Sequence, residues 1–170
     1  VTIFELIDPR SFSSLWYWLV VIWLWSVHAH GMLGVPYDMI YRARNEGGAA
    51  LSDVEALAEF RAYRVTDLVK VGAVWMTGLA AFVLVSLFLI GFGYGFELAQ
   101  AVFLLAFPFA LIFAQTVVTC RRILSDDRSG EALLRRLRVH RVTVQIVGIL
   151  SIFVTVLWGM YQNIARGYLG

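Results

Sequence analysis

Long apolar stretches alternate with short charged ones along these 170 residues. Residues 11–37, 71–96, 98–120 and 142–165 contain no Asp, Glu, Lys or Arg. A hydrocarbon layer about 30 Å thick needs about 20 apolar residues in a helix, and each stretch exceeds that. The pattern predicts an all-α polytopic membrane protein, one four-helix domain over 1–170 with spans at about 14–34, 70–92, 97–120 and 141–164.

The segments between the spans carry helical signals of their own. His30-Gly31-Met32-Leu33-Gly34-Val35-Pro36 holds two glycines and a proline, which predicts a break after the first span. Residues 37–46 then resume as a short surface helix, stopped by Asn45-Glu46-Gly47-Gly48. Ser52-Asp53-Val54-Glu55 has capping-box spacing, and Val54, Leu57, Ala58, Val65 and Leu68 recur at helical intervals. No Pro or Gly intervenes before Gly72, so one helix is predicted over 53–92, about a third of it outside the membrane. A second extension begins near Gly130, with Glu131 and Arg135 as an i,i+4 pair and Leu133, Leu134 and Leu137 as its apolar face. Pro108 predicts a local kink in the third span, while Gly72, Gly78, Gly148, Ser151 and Thr155 are candidate close-packing sites.

Composition narrows the class. Hydrophobic residues make up 60% of the chain and its mean hydropathy is +0.75, values that would leave a soluble domain with large apolar patches in water. The distribution of charge sets an orientation. All of the 14 Lys and Arg except Arg10 and Arg166 fall in or beside segments 37–69 and 121–140. Basic residues resist translocation, so these become the cytoplasmic loops and both termini lie outside. Residues 1–10 lack the basic start of a cleavable signal, so the first span is expected to insert as its own signal. Trp16, Tyr17, Trp18, Tyr94, Trp158 and Tyr161 fall at outer span ends as interfacial anchors; Trp23, Trp25 and Trp75 lie deeper and are expected to pack.

Candidate chemistry is sparse. No Gly-x-Ser-x-Gly, His-Glu-x-x-His or Walker pattern occurs, which argues against an enzyme. The one cysteine, Cys120, excludes an internal disulfide and a four-cysteine metal site, and Asp126-Asp127 reads as a solvated acidic pair. The topology gathers a polar layer at the basic face: His28, Gln115 and Gln145, with His30, Asp67, Lys70, Thr116, Thr119, Cys120, His140 and Thr143 near the same depth. His28 and Gln145 are the members expected to be buried. Interhelical hydrogen bonding is the leading role for this layer. Haem b or a metal on His28, His30 and His140 is the alternative, but His28 and His30 point about 200° apart on a regular helix. His140 also sits between Arg138 and Arg141, whose charge disfavours a cation. No cofactor is therefore predicted. No ionisable residue occupies the middle of any span, so one chain offers no proton relay, and a channel would have to be built by oligomerisation.

Arg121, Arg122, Arg135, Arg136, Arg138 and Arg141 form a basic collar suited to lipid headgroups or an acidic partner. Nucleic acid is not expected, since no aromatic or glycine-rich binding pattern accompanies the charge.

Two segments carry a resemblance: Leu33-Gly34-Val35-Pro36-Tyr37-Asp38-Met39 and Phe96-Glu97-Leu98-Ala99-Gln100-Ala101-Val102-Phe103-Leu104-Leu105-Ala106-Phe107-Pro108. The chain resembles small four-span inner-membrane proteins of alphaproteobacteria, some recorded as a component of the Suf iron–sulfur assembly complex. The resemblance implies a multi-pass protein of the bacterial inner membrane with an accessory or assembly role. A single cysteine offers no cluster-ligand set, so location and architecture carry over and iron–sulfur chemistry does not. The expectation is a non-enzymatic accessory or scaffold protein in the lipid bilayer, a homo-oligomer or part of a larger membrane complex. A channel or transporter and a haem- or metal-binding redox protein are the alternatives.

Overall fold

The structure, a computed structural model, describes residues 15–29 and 34–167. They form five α-helices: α1 (Leu15–Ala29), α2 (Tyr37–Glu46), α3 (Gly48–Phe88), α4 (Glu97–Ser125) and α5 (Gly130–Gly167). One π turn, Leu89–Gly93, continues α3. No strand occurs among the described residues. Among the described residues, three helices are long and apolar enough to cross a membrane: Gly48–Gly93, Glu97–Ser125 and Gly130–Ala165. The apolar run Leu15–Ser26 in α1 is shorter.

At about 1.5 Å per residue, the 46 residues of Gly48–Gly93 extend about 70 Å, more than twice a hydrocarbon layer. The predicted single helix is thus present, and it begins earlier than the capping box suggested. Gly47 and Gly48, at φ +62° and +49°, turn the chain from α2 into α3, a left-handed conformation that a side chain at Cβ disfavours. Ser52 lies inside the helix and its Oγ donates to Ala49 O at 2.8 Å. Glu55 caps a different helix: its Oε1 accepts the Gly130 amide at the start of α5 at 2.7 Å. An anionic acceptor suits that end of the α5 dipole.

Two apolar cores stack along the bundle. The first closes the basic end, named for the arginines of 121–141. There α3 offers Val54, Ala58 and Ala62, α2 offers Ile40 and Ala43, α4 offers Cys120 and Ile123, and α5 offers Leu133, Leu134 and Leu137. The i,i+4 row of valine and alanines lets the backbones approach closely, and Thr66 and Val69 extend the buried stripe. Leu68, expected on this face, is exposed instead, because the contact follows 54, 58, 62 and 66 more tightly than the larger residues between them. The second core joins α1 to α4 and α5 through Val21, Trp25 and Ile112. Trp25 stacks on Phe109 at 4.9 Å. Gly148 of α5 lies beneath the Trp25 indole, where a Cβ would come within 2.9 Å of the ring. Trp23 and Trp75, also expected to pack, face outward.

Pro108 shows how the sequence signal and the tertiary partner fit. A proline has no N–H, so the carbonyl four residues earlier loses its helical donor. Ser151 Oγ of α5 donates to that carbonyl, Leu104 O, at 3.5 Å, and α4 runs on through Pro108. Ser151 and Thr155 are buried, as their assignment to close packing implied. A Cβ added at Gly78 would meet nothing within 4 Å beyond the helix's own backbone, and one at Gly72 would meet only the Met76 side chain of the same helix.

Candidate functional site

Three polar features stand out among the described residues. The expected layer at the basic face is only partly assembled. Thr119 Oγ1 of α4 and His140 Nδ1 of α5 lie 3.3 Å apart, and Cys120, next in sequence to Thr119, is buried in the first core. His140 is only 6% exposed, and its Nε2 is enclosed without a hydrogen-bond partner. Gln115 is half-buried, whereas Gln145 is exposed, contrary to expectation, because position 145 falls on the outward side of α5. Asp67 and Lys70 pair with each other at 3.2 Å on the exposed side of α3 and leave the layer. The His28 side chain and all of His30 lie outside the described residues. No group of three His, Cys, Asp or Glu side chains able to hold a metal occurs among the described residues.

The second feature was not singled out by the sequence. At the opposite end of the bundle, Gln100 is buried in the first turn of α4 and serves as a hub. Its Nε2 donates to Gly91 O at 2.8 Å, while its Oε1 accepts from Trp158 Nε1 at 3.0 Å and from Gln162 Nε2 at 2.6 Å. One amide thus ties the π turn, α4 and α5 together. The pointer in the sequence was an amide within an otherwise apolar stretch, a placement that requires a partner. Gln100→Leu removes all three bonds, and at about 0.6 kcal/mol each in a membrane protein it should lower stability by roughly 2 kcal/mol. Gln162→Leu removes one and should cost about a third as much. Thermal unfolding in detergent measures both, and equal losses would show that the hub does not exist.

The third feature is the arginine collar, which divides once the partners are known. Asp127, read as solvated, is largely buried and takes both Nε and an NH2 group of Arg136 at 2.7 and 2.6 Å. That pair ties the α4–α5 connection to α5, so Arg136 is a structural residue and not a free surface cation. Glu131 and Arg135 form no ion pair, because the next arginine, not Arg135, turns toward the connection. Arg121, Arg122 and Arg135 are exposed. Arg138 and Arg141 instead converge with Arg44 of α2 on a cleft of about 290 Å³, also lined by Tyr37, Tyr41 and Asn45 over Ile40. The Arg141 guanidinium sits 4.4 Å from the centre of the Tyr37 ring, within cation–π range. Arg44 was counted from the sequence only as a loop charge. Its part in the cleft depends on how α2 lies across α5.

Comparison with protein-family models, curated proteins and solved structures finds no match. These comparisons therefore contribute nothing to the functional reading.

Proposed function

We propose that this chain is a non-enzymatic accessory or scaffold protein of a bacterial inner membrane, with four spans, basic loops in the cytoplasm and both termini outside. The α1 helix would supply the first span. The resemblance of segments 33–39 and 96–108 to small alphaproteobacterial inner-membrane proteins supports the location. The concentration of arginine at one end of the bundle supports the orientation.

One observation carries the accessory role. The most apolar 18-residue window of α3 has none of its residues buried, against 22% for the windows of α4 and α5. The same helix is packed at the basic end through Val54, Ala58, Ala62, Thr66 and Val69. It meets α4 again at Phe88 and Gly91, so the uncovered apolar face lies between two packed ends. Val71, Trp75, Leu79 and Phe82 lie on one outward face, and Gly78 leaves a gap among them. Large rings beside an open glycine form a surface into which another helix can insert, and in lipid such packing, not hydrophobic exclusion, drives association. The partner on this reading is a second copy or another subunit of a membrane complex.

The basic-end extensions contribute differently from what their apolar faces alone suggest. They cover one another in the first core, so they form a finished four-helix platform in the cytoplasm rather than two unpaired faces.

Mass measurement of the chain in mild detergent and in lipid nanodiscs tests the proposal. Wild type should run as an assembly, and Gly78→Leu, which fills the gap without touching either core, should weaken that assembly by roughly tenfold or more. A wild-type monomer with no co-purifying protein would end the accessory reading.

A further inference from the structure

We infer that the cleft between α2 and α5 is a binding site for the phosphate group of an anionic phospholipid, held by Arg44, Arg138 and Arg141. The inference deepens the membrane reading above and rests on it. The collar as a whole is a surface charge; this cleft has walls, a floor and a defined donor set.

The charges come first. The described residues hold other arginines that find carboxylates: Arg42 pairs with Glu46 at 3.6 Å and Arg136 with Asp127 at 2.6 Å. None of the three cleft arginines has a carboxylate within ion-pair distance among the described residues. Asp38 and Glu46, the acids of α2, do not line the cleft. Three guanidinium groups therefore converge on one space without compensation, which is unfavourable unless an anion joins them. Guanidinium is the side chain whose paired N–H donors match phosphate oxygens two at a time.

Shape and depth point to lipid. The Arg141 guanidinium lies over the Tyr37 ring at 4.4 Å, and the two side chains together form one wall of the site. A volume of about 290 Å³ accommodates a phosphate headgroup and is too small for its acyl chains. The charge-free stretch of α5 starts at residue 142, directly after Arg141, so the cleft lies at the level where headgroups meet hydrocarbon. Tyr37 and Tyr41 bring to the same level the amphipathic rings that favour this interface. A soluble phosphate would use the arginines but not this position against the acyl layer.

The test uses the full chain in nanodiscs of phosphatidylcholine with a minor share of phosphatidylglycerol, released for native mass measurement. Wild type should retain one phosphatidylglycerol per chain in preference to phosphatidylcholine. Arg44 and Arg138 are both exposed and unpaired, so the double variant R44Q/R138Q should keep the wild-type unfolding temperature while retaining phosphatidylglycerol roughly 10–30-fold less well. R121Q/R122Q removes the same charge elsewhere on the collar and should change retention by less than about twofold. Equal retention of the two lipids by wild type would overturn the proposal, and so would equal losses in the two double variants. Displacement of the lipid by millimolar inorganic phosphate would assign the site to free phosphate instead and overturn the lipid assignment. Failure of the underlying membrane reading has a separate signature, wild type remaining folded and dispersed without detergent.

Discussion

Gly91→Val should destabilise the protein by about 3 kcal/mol or more, the upper range for forcing extra atoms into a packed contact. A Cβ at this position would lie 2.8 Å from the Gln100 amide nitrogen and 3.1 Å from both Ala99 C and Gln100 Cα. All three obstacles are backbone, so no side-chain rotation relieves the overlap. The π turn and the start of α4 would have to separate. Separation stretches the bond from Gln100 Nε2 to Gly91 O and disturbs the Oε1 that receives Trp158 and Gln162. The damage would reach α5 through that amide and through the Phe92–Trp158 ring contact at 5.3 Å. Gly93 supplies the control. A Cβ there meets nothing within 4 Å and its φ is not left-handed, so Gly93→Ala should be neutral within about 0.5 kcal/mol. Thermal unfolding in detergent compares the two, and similar behaviour of both variants would mean that α3 and α4 do not meet at Gly91.

This contact also marks where the sequence stopped being informative. The long helices were legible because each has a cause confined to its own segment. Absence of charge over more than 20 residues marks the apolar helices, and the lack of Gly or Pro before Gly72 lets α3 run unbroken from its extension into its apolar half. The turn at Gly47 and Gly48 was legible for the same local reason. What each polar side chain does was mostly not legible, because that depends on partners far along the chain. Glu55 and Ser52 have the spacing of a cap for their own helix, yet Glu55 serves Gly130, 75 positions away. Asp127 looks like a solvated loop acid until α5 brings Arg136 beside it. Gln100 and Gln145 each interrupt an apolar stretch with an amide; only the helix rotation decides that Gln100 is enclosed and Gln145 is not. For the arginine collar, the sequence located the charge and the structure separated its members. Arg136 supports the fold, Arg121, Arg122 and Arg135 face outward, and Arg138 and Arg141 form a cleft with Arg44.

The second large effect is expected at the basic end. Leu133→Ala should cost about 2–5 kcal/mol, the range for truncating a fully enclosed leucine. Leu133 is completely buried among residues of α2, α3 and α4, and the neighbouring contributions of α3 are Ala58 and Ala62. Alanines cannot extend into a vacated volume, so the cavity would persist unless whole helices moved, which places the cost toward the upper part of the range. Ile149→Ala, in the apolar stretch of the same helix, removes a side chain that faces outward and should cost less than about 1 kcal/mol. Because Leu133 belongs to a core distinct from the one around Trp25 and Ile112, its loss should act locally. Hydrogen exchange is expected to quicken in segments 50–62 and 120–140 while the Trp25–Phe109 region stays protected. Equal costs for the two substitutions would mean that the basic-end helices are not packed on one another, and the platform assigned to them would have to be held together by another protein.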